Sequence, residues 1–176
     1  MSKRVVVTGQ AADGTSVIVS DTQVEPIRPI LLPGAEFHRL WGSDRPPQLP
    51  TDGTPPSQPG YFPPAGGYRF AFFTLGPESV TLPSDLDFNE ALSELATKLP
   101  GLSDVMEPDR PGMHTTDTVD LDLVVSGEIW LELDDGKEVR LEAGDCVVQN
   151  GTRHSWHNRR DEPAVIFVTL LGATRS

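Results

Sequence analysis

GMHTTDTVDLDLVVSGEIWLELDDGKEVRLEAGDCVVQNGTRHSWHN, residues 112–158, is the stretch that decides the fold. Leu121–Ser126, Ile129–Leu133 and Val139–Leu141 alternate apolar and polar residues, and Cys146–Gln149 is a short continuous apolar run. Period-two alternation predicts strands with one face on a core. The breaks Ser126-Gly127, Asp135-Gly136 and Ala143-Gly144 predict tight connections. Asp135-Gly136 is the strongest signal, because both residues tolerate positive φ and suit a two-residue hairpin turn. His114 and Asp120 stand at the front of this array, and His154 and His157 at its back. A closed β-barrel would bring front and back together.

These residues resemble the cupin superfamily, small β-barrels that carry two short motifs separated by a hairpin. The first motif is Gly, five residues, His-x-His, three or four residues, Glu, six residues, Gly. Counting back from Gly127, the Glu position falls on Asp120 and the His-x-His pair on His114 and Thr116. The second His is therefore absent, and the opening Gly is displaced to Gly112. In the second motif Gly144, Gly151, His154 and Asn158 match, while Gln149 stands where Pro is usual. The resemblance implies an all-β fold: a cupin-type barrel (double-stranded β-helix, or jelly-roll) with an N-terminal β extension and one short helix. Both motifs together are specific for a fold, but one fold hosts many chemistries.

Residues 1–176 are expected to form a single domain, as befits the length. Residues 1–101 read as an N-terminal extension and 102–176 as the barrel core. Net charge is −12, and the only basic clusters are Lys3-Arg4 and Arg159-Arg160, which argues against nucleic-acid binding. No apolar run approaches the ~18 residues of a membrane span. The start, MSKRVVVTGQ, turns polar too soon for a secretory signal, and one cysteine makes no internal disulfide. A reducing cytoplasm is the expected location.

In the extension, Arg4–Thr8 and Ser16–Ser20 predict two strands around the turn Asp13-Gly14. Glu36–Trp41 predicts a third, with Phe37, Arg39 and Trp41 on one face and His38 and Leu40 on the other. Residues 43–67 hold eight prolines and four glycines and predict a long loop, either an unfunctional insertion or a cover over a pocket mouth. Tyr61 and Phe62 favour the cover. Tyr68–Leu75 (YRFAFFTL) predicts a strand whose one charge, Arg69, shares a face with Ala71 and Phe73. Asp87 and Glu90 form a capping box for a helix over about 87–99, which Pro100-Gly101 ends. Its Leu stripe predicts packing. Ala164–Leu171 predicts a last strand, apolar enough for burial on both faces. An edge on this strand and on the N-terminal strands would suit a homodimer.

By the resemblance, His114, Asp120 and His154 are the metal ligands. Two imidazoles and a carboxylate suit a divalent ion, iron, zinc, manganese or nickel. Asp117 could replace the missing ligand, or serve as a turn residue. Asp122 has the parity of Asp120 and could be a general base, or else lie solvated at the rim. Trp156, Trp130, Arg69 and His38 are candidate pocket residues, with Phe70 and Phe72 near them. Arg39 and Arg69 could hold a substrate carboxylate, but surface ion pairs are the simpler reading in so acidic a chain. His157, of opposite parity to His154, should point away. Cys146 reads as a small buried hydrophobe. The expected function is a metal-dependent enzyme acting on a small organic molecule. Iron would oxygenate it; zinc, manganese or nickel would serve isomerisation, decarboxylation or elimination. The alternative is a barrel that binds or senses a small molecule without turnover.

Overall fold

A computed structural model describes residues 1–176. Ten strands and one helix follow in order: β1 (Lys3–Gln10), β2 (Ser16–Val24), β3 (Glu36–Ser43), β4 (Tyr68–Leu75), α1 (Phe88–Lys98), β5 (Thr118–Ser126), β6 (Glu128–Glu132), β7 (Glu138–Glu142), β8 (Cys146–Asn150), β9 (Ser155–His157) and β10 (Ala164–Gly172). One sheet has the order β3-β4-β10-β5-β8, a second β7-β6-β9, and β1-β2 form a separate antiparallel hairpin. The two larger sheets face one another across Val124, Ile129, Leu131, Ile166 and Val168. Ile129 is fully buried, and side chains of this kind stabilise by about 1.5–3 kcal/mol each.

The alternation of residues 118–126 does what period two requires. Thr118, Asp120, Asp122 and Val124 point inward, and Val119, Leu121 and Val125 point out. Asp135 and Gly136 turn β6 into β7 with φ of 60° and 67°, the two positive values a type I′ hairpin needs. Gly127 closes the turn from β5 to β6, where a Cβ would lie 2.7 Å from the Ala164 Cα. Asn158 is fully buried. It donates to the carbonyls of Leu75 and Glu162 and accepts from the Arg160 amide, which fixes the turn into β10.

A second apolar cluster, Ala35, Phe37, Tyr61, Leu95, Leu99 and Leu102, lies beneath α1. Asp87 caps α1 by accepting from the Asn89 and Glu90 amides. Ala91, Leu95 and Leu99 are buried, whereas Leu92 is exposed. This cluster meets the barrel core at the mouth between the sheets.

Three expectations change. The division at 101/102 cuts across the main sheet, because β3 and β4 join β10, β5 and β8. β10 has no free edge to offer a partner: it lies between β4 and β5, and its outward residues are half-buried, with Leu171 exposed. In β3, the pairing with β4 skips a residue between Arg39 and Trp41. That bulge breaks the predicted shared face, so Phe37 faces the barrel mouth while Trp41 lies in a groove against β1.

Candidate functional site

The strand parity of β5 and the return of the chain after β8 place five polar side chains in one cavity. It has a volume of about 260 Å³, and His114, Thr116, Asp120, Asp122 and His154 form its polar end. The rest of the wall is largely apolar, including Phe37, Tyr61, Phe62, Phe73, Trp156 and Leu170.

His114 and His154 sit on an isolated antiparallel bridge. Their ring centroids are 4.2 Å apart at 49°. His114 Nδ1 lies 2.9 Å from the Gly112 carbonyl and His154 Nδ1 2.9 Å from the Thr152 carbonyl. A carbonyl only accepts, so each Nδ1 carries the proton and each Nε2 presents a lone pair. Burial pushes both imidazoles below their usual pKa, His154 to about 4 with His114 beside it, so both are neutral at pH 7.

Asp120 and Asp122 are each 5% exposed. Asp120 Oδ1 is buried without a hydrogen-bond partner. Burial raises the Asp120 carboxyl to about 6, with the Thr118 hydroxyl acting the other way. Burial and then the charge of Asp120 raise Asp122 to about 7. The rim alternative for Asp122 is thereby set aside, because its strand position carries it inside the barrel.

The donor types suit a divalent ion, but the spacing does not. In one group alone do three His, Cys, Asp or Glu ligand atoms all lie within 4.8 Å of one another: Glu132, Glu138 and His157, on the outer side of β6, β7 and β9. Metal bonds of about 2.0–2.2 Å require such closeness. His114, Asp120 and His154 share a cavity without closing around a single point, so as arranged they do not fit one ion held by all three. The Asp side chain is a methylene shorter than Glu. Thr116 at the missing histidine's position instead hydrogen-bonds the Thr118 hydroxyl, 2.8 Å away.

Residues 105–170 match the family described as Cupin domain. That match covers a little over a third of the chain and gives this span as a cupin domain. The chain is similar to two proteins of Diaporthe leptostromiformis and Aspergillus oryzae. The first, "Phomopsin biosynthesis cluster protein C'", is 40% identical over 106 residues, 55% of this chain and 56% of the relative. The second, "Oryzines biosynthesis cluster protein J", is 35% identical over 98 residues, 51% of this chain and 55% of the relative. Each match spans about half the relative's length. Among solved structures, the Cnp3 cupin domain of Schizosaccharomyces pombe aligns with a TM-score of 0.50 at 9% identity, covering 98% of this chain and 89% of the other.

Within this cupin barrel, the other site expectations divide. Trp156 lines the cavity, edge-on to His154. Trp130 does not: it faces outward beneath the Arg159 and Arg160 guanidinium groups. His38 is fully buried, but its Nε2 donates to the Met1 carbonyl at 2.9 Å, away from the cavity. Phe70 lines the groove against β1, and Phe72 packs on Phe167 under Lys3. His157 points out and hydrogen-bonds Glu78, Glu132 and Ser155. Asp117 is an exposed partner of Arg175. Cys146 is exposed, because it stands on β8, an edge strand, facing out.

Arg69 is unavailable to a substrate. It is buried and donates to Asp44 Oδ1 at 2.5 Å and to the carbonyls of Ser43, Tyr68, Gly60 and Phe62. Arg39 likewise donates to the Gln58 and Gly60 carbonyls. Together they bind residues 44–67 to the barrel as a strap, and that strap carries Tyr61 and Phe62 into the cavity wall. A charge facing inward on an aromatic strand beside a Pro-rich loop was the available signal, since buried charges are paired.

Proposed function

We propose that this cupin is an enzyme of small-molecule biosynthesis that binds an organic molecule in the barrel cavity and moves protons on it. The observation that carries this reading is the pair of buried carboxyls, Asp120 and Asp122, at the polar end of an otherwise apolar cavity. Similarity to biosynthesis-cluster proteins supports a small-molecule role. General acid–base groups work best with pKa values near the operating pH, and burial has brought both carboxyls toward it.

In this reading an ionised carboxylate takes a proton from carbon next to a carbonyl. The C–H electron pair moves into the carbonyl, whose oxygen receives the proton of the second carboxyl. The reverse step, with a proton returned to another carbon, completes an isomerisation. If the electron pair instead expels a leaving group, the outcome is elimination. His114 and His154, neutral and oriented by the Gly112 and Thr152 carbonyls, accept hydrogen bonds at Nε2 and orient the ligand. The apolar wall excludes water. No step passes through a metal.

The test is deuterium incorporation. A panel of ketones, enones and hydroxy-ketones is incubated in D2O with wild type, Asp120→Asn and Asp122→Asn, with and without EDTA, and read by mass spectrometry. Incorporation by wild type in EDTA that falls at least a hundredfold in either variant supports the reading. Incorporation that requires added iron, zinc, manganese or nickel overturns it in favour of the metal-dependent enzyme. A protein that binds members of the panel without exchange is a binding barrel.

A further inference from the structure

We infer that the cavity discriminates by charge: it takes uncharged or amine-bearing apolar molecules and rejects carboxylates and phosphates. This rests on the proposed binding of an organic molecule in the barrel and adds the substrate class. Neither lysine nor arginine is among the lining residues, while Asp120, Asp122 and, at the mouth, Glu78 are. Glu78 is engaged with His157, its Oε1 2.7 Å from the ring Nδ1. Arg39 and Arg69 adjoin Tyr61 on its other side, with their donors committed to strap carbonyls and Asp44.

The second observation is the orphaned oxygen. Asp120 is 95% buried by its 5% exposure, and its Oδ1 has no partner in the protein. Buried polar atoms are almost always hydrogen-bonded, so this acceptor calls for a donor that the ligand supplies. An N–H or O–H group provides one. A carboxylate or phosphate provides only further acceptors, and in a low-dielectric cavity it would face like charge with no cation to offset it. The histidine Nε2 atoms are acceptors as well, so the polar end offers the ligand acceptors almost throughout. The donors in this lining are the hydroxyls of Thr116 and Tyr61 and whichever carboxyl holds a proton. A molecule with donors at one end and an apolar body at the other matches this wall.

Three probes of one shape test the inference: 2-phenylethylamine, 2-phenylethanol and phenylacetate. Binding to the full chain is measured at pH 8 by calorimetry and by the change in tryptophan fluorescence, to which Trp156 in the cavity wall contributes, with and without EDTA. The expected result is that amine and alcohol bind, that phenylacetate binds at least tenfold more weakly than the alcohol, and that Asp120→Asn/Asp122→Asn narrows that gap. Equal or tighter binding of phenylacetate overturns the charge selection and leaves the cavity reading intact. Phenylacetate binding that disappears in EDTA overturns it too, since a bound cation then sets the sign of the site. If none of the three binds, the proposed ligand cavity itself fails, and the inference with it.

Discussion

His114 and His154 exchange both backbone hydrogen bonds, each amide 2.9 Å from the other's carbonyl. Forty residues of chain separate them, and this one bridge closes the front of the organising stretch onto its back. Each ring is then turned the same way by the carbonyl two residues before it, Gly112 or Thr152. The pairing brings the two imidazoles side by side, with ring centroids 4.2 Å apart.

The first prediction concerns metal. Protein purified without chelator is expected to contain well under one equivalent of iron, zinc, manganese or nickel by mass spectrometry. Its melting temperature should not rise when these ions are added at micromolar concentration. Ligands that bind the native state raise stability by mass action, so a true site would reveal itself. One equivalent of metal in wild type, lost in both Asp120→Ala and His154→Ala, would show that the three side chains close around an ion after all. Loss in His157→Ala instead would assign the ion to Glu132, Glu138 and His157.

A second prediction follows from the raised carboxyls. Asp120 titrates at about 6 and Asp122 at about 7 in the folded chain, above the ~3.9 of an unfolded aspartate. Between these values the native state binds more protons than the unfolded state, so their contribution to stability falls as pH rises from about 4 to about 7. Asp122→Asn is therefore expected to raise stability at pH 8 by roughly 3 kcal/mol or less and to change it little at pH 4, by denaturant titration. A variant equally stabilising, or destabilising, at both pH values would mean that the carboxyl is solvated or paired in the native protein.

Arg69 carries the third prediction. Its guanidinium satisfies four carbonyls and one carboxylate, with the side chain 4% exposed. Removing one member of a buried pair costs about 3–5 kcal/mol, because the partner is left uncompensated. Arg69→Met should destabilise by that order, and Arg69→Lys by less than Met but measurably, since an ammonium reaches fewer of these acceptors. Limited proteolysis should then cut between residues 44 and 67, where wild type resists. An unchanged cleavage pattern would show that the strap is held by other contacts.

The sequence showed the strands wherever one face met the core and one met water, as in residues 118–126, and the helix through its Asp87 cap. Its motif spacing brought out His114, Asp120 and His154 as residues of one cavity. What it left hidden depends on facing. Trp130 and Trp156 are both aromatic residues on β-strands, but their registers place them on opposite sides of the smaller sheet. The bulge in β3 separates Trp41 from Phe37, and no residue pattern announces it. Cys146 looked buried because its run is apolar, yet β8 is an edge and its outer face is open. Arg69 looked like a surface ion-pair partner or a substrate anchor, yet it is buried, because most of its acceptors lie far away in the chain on a loop with no periodicity to place them. Convergence of three ligands on a point is a matter of ångströms, finer than parity can resolve.

The fourth prediction tests the strap at its other end. Gly172, at the end of β10, accepts from the Gly66 amide and donates to the Gly67 carbonyl, both at 2.9 Å. A Cβ on Gly172 would lie 1.8 Å from the Pro64 carbonyl oxygen, far inside van der Waals contact. The obstacle is backbone, so it cannot rotate aside. Gly172→Ala must push residues 63–67 off the strand, breaking both hydrogen bonds and shifting Phe62 in the cavity wall. Overpacking of this kind costs typically about 1–3 kcal/mol. The neighbouring Leu171→Ala, at an outward position 49% exposed, serves as control and should change stability far less. Denaturant titration of the two variants reads the difference. Phenylethanol affinity, measured alongside, should fall in Gly172→Ala and not in Leu171→Ala, because only the first moves the strap that carries Tyr61 and Phe62. Equal stability of the two variants would mean that the strap yields without cost, and that it is a cover rather than a fixed wall.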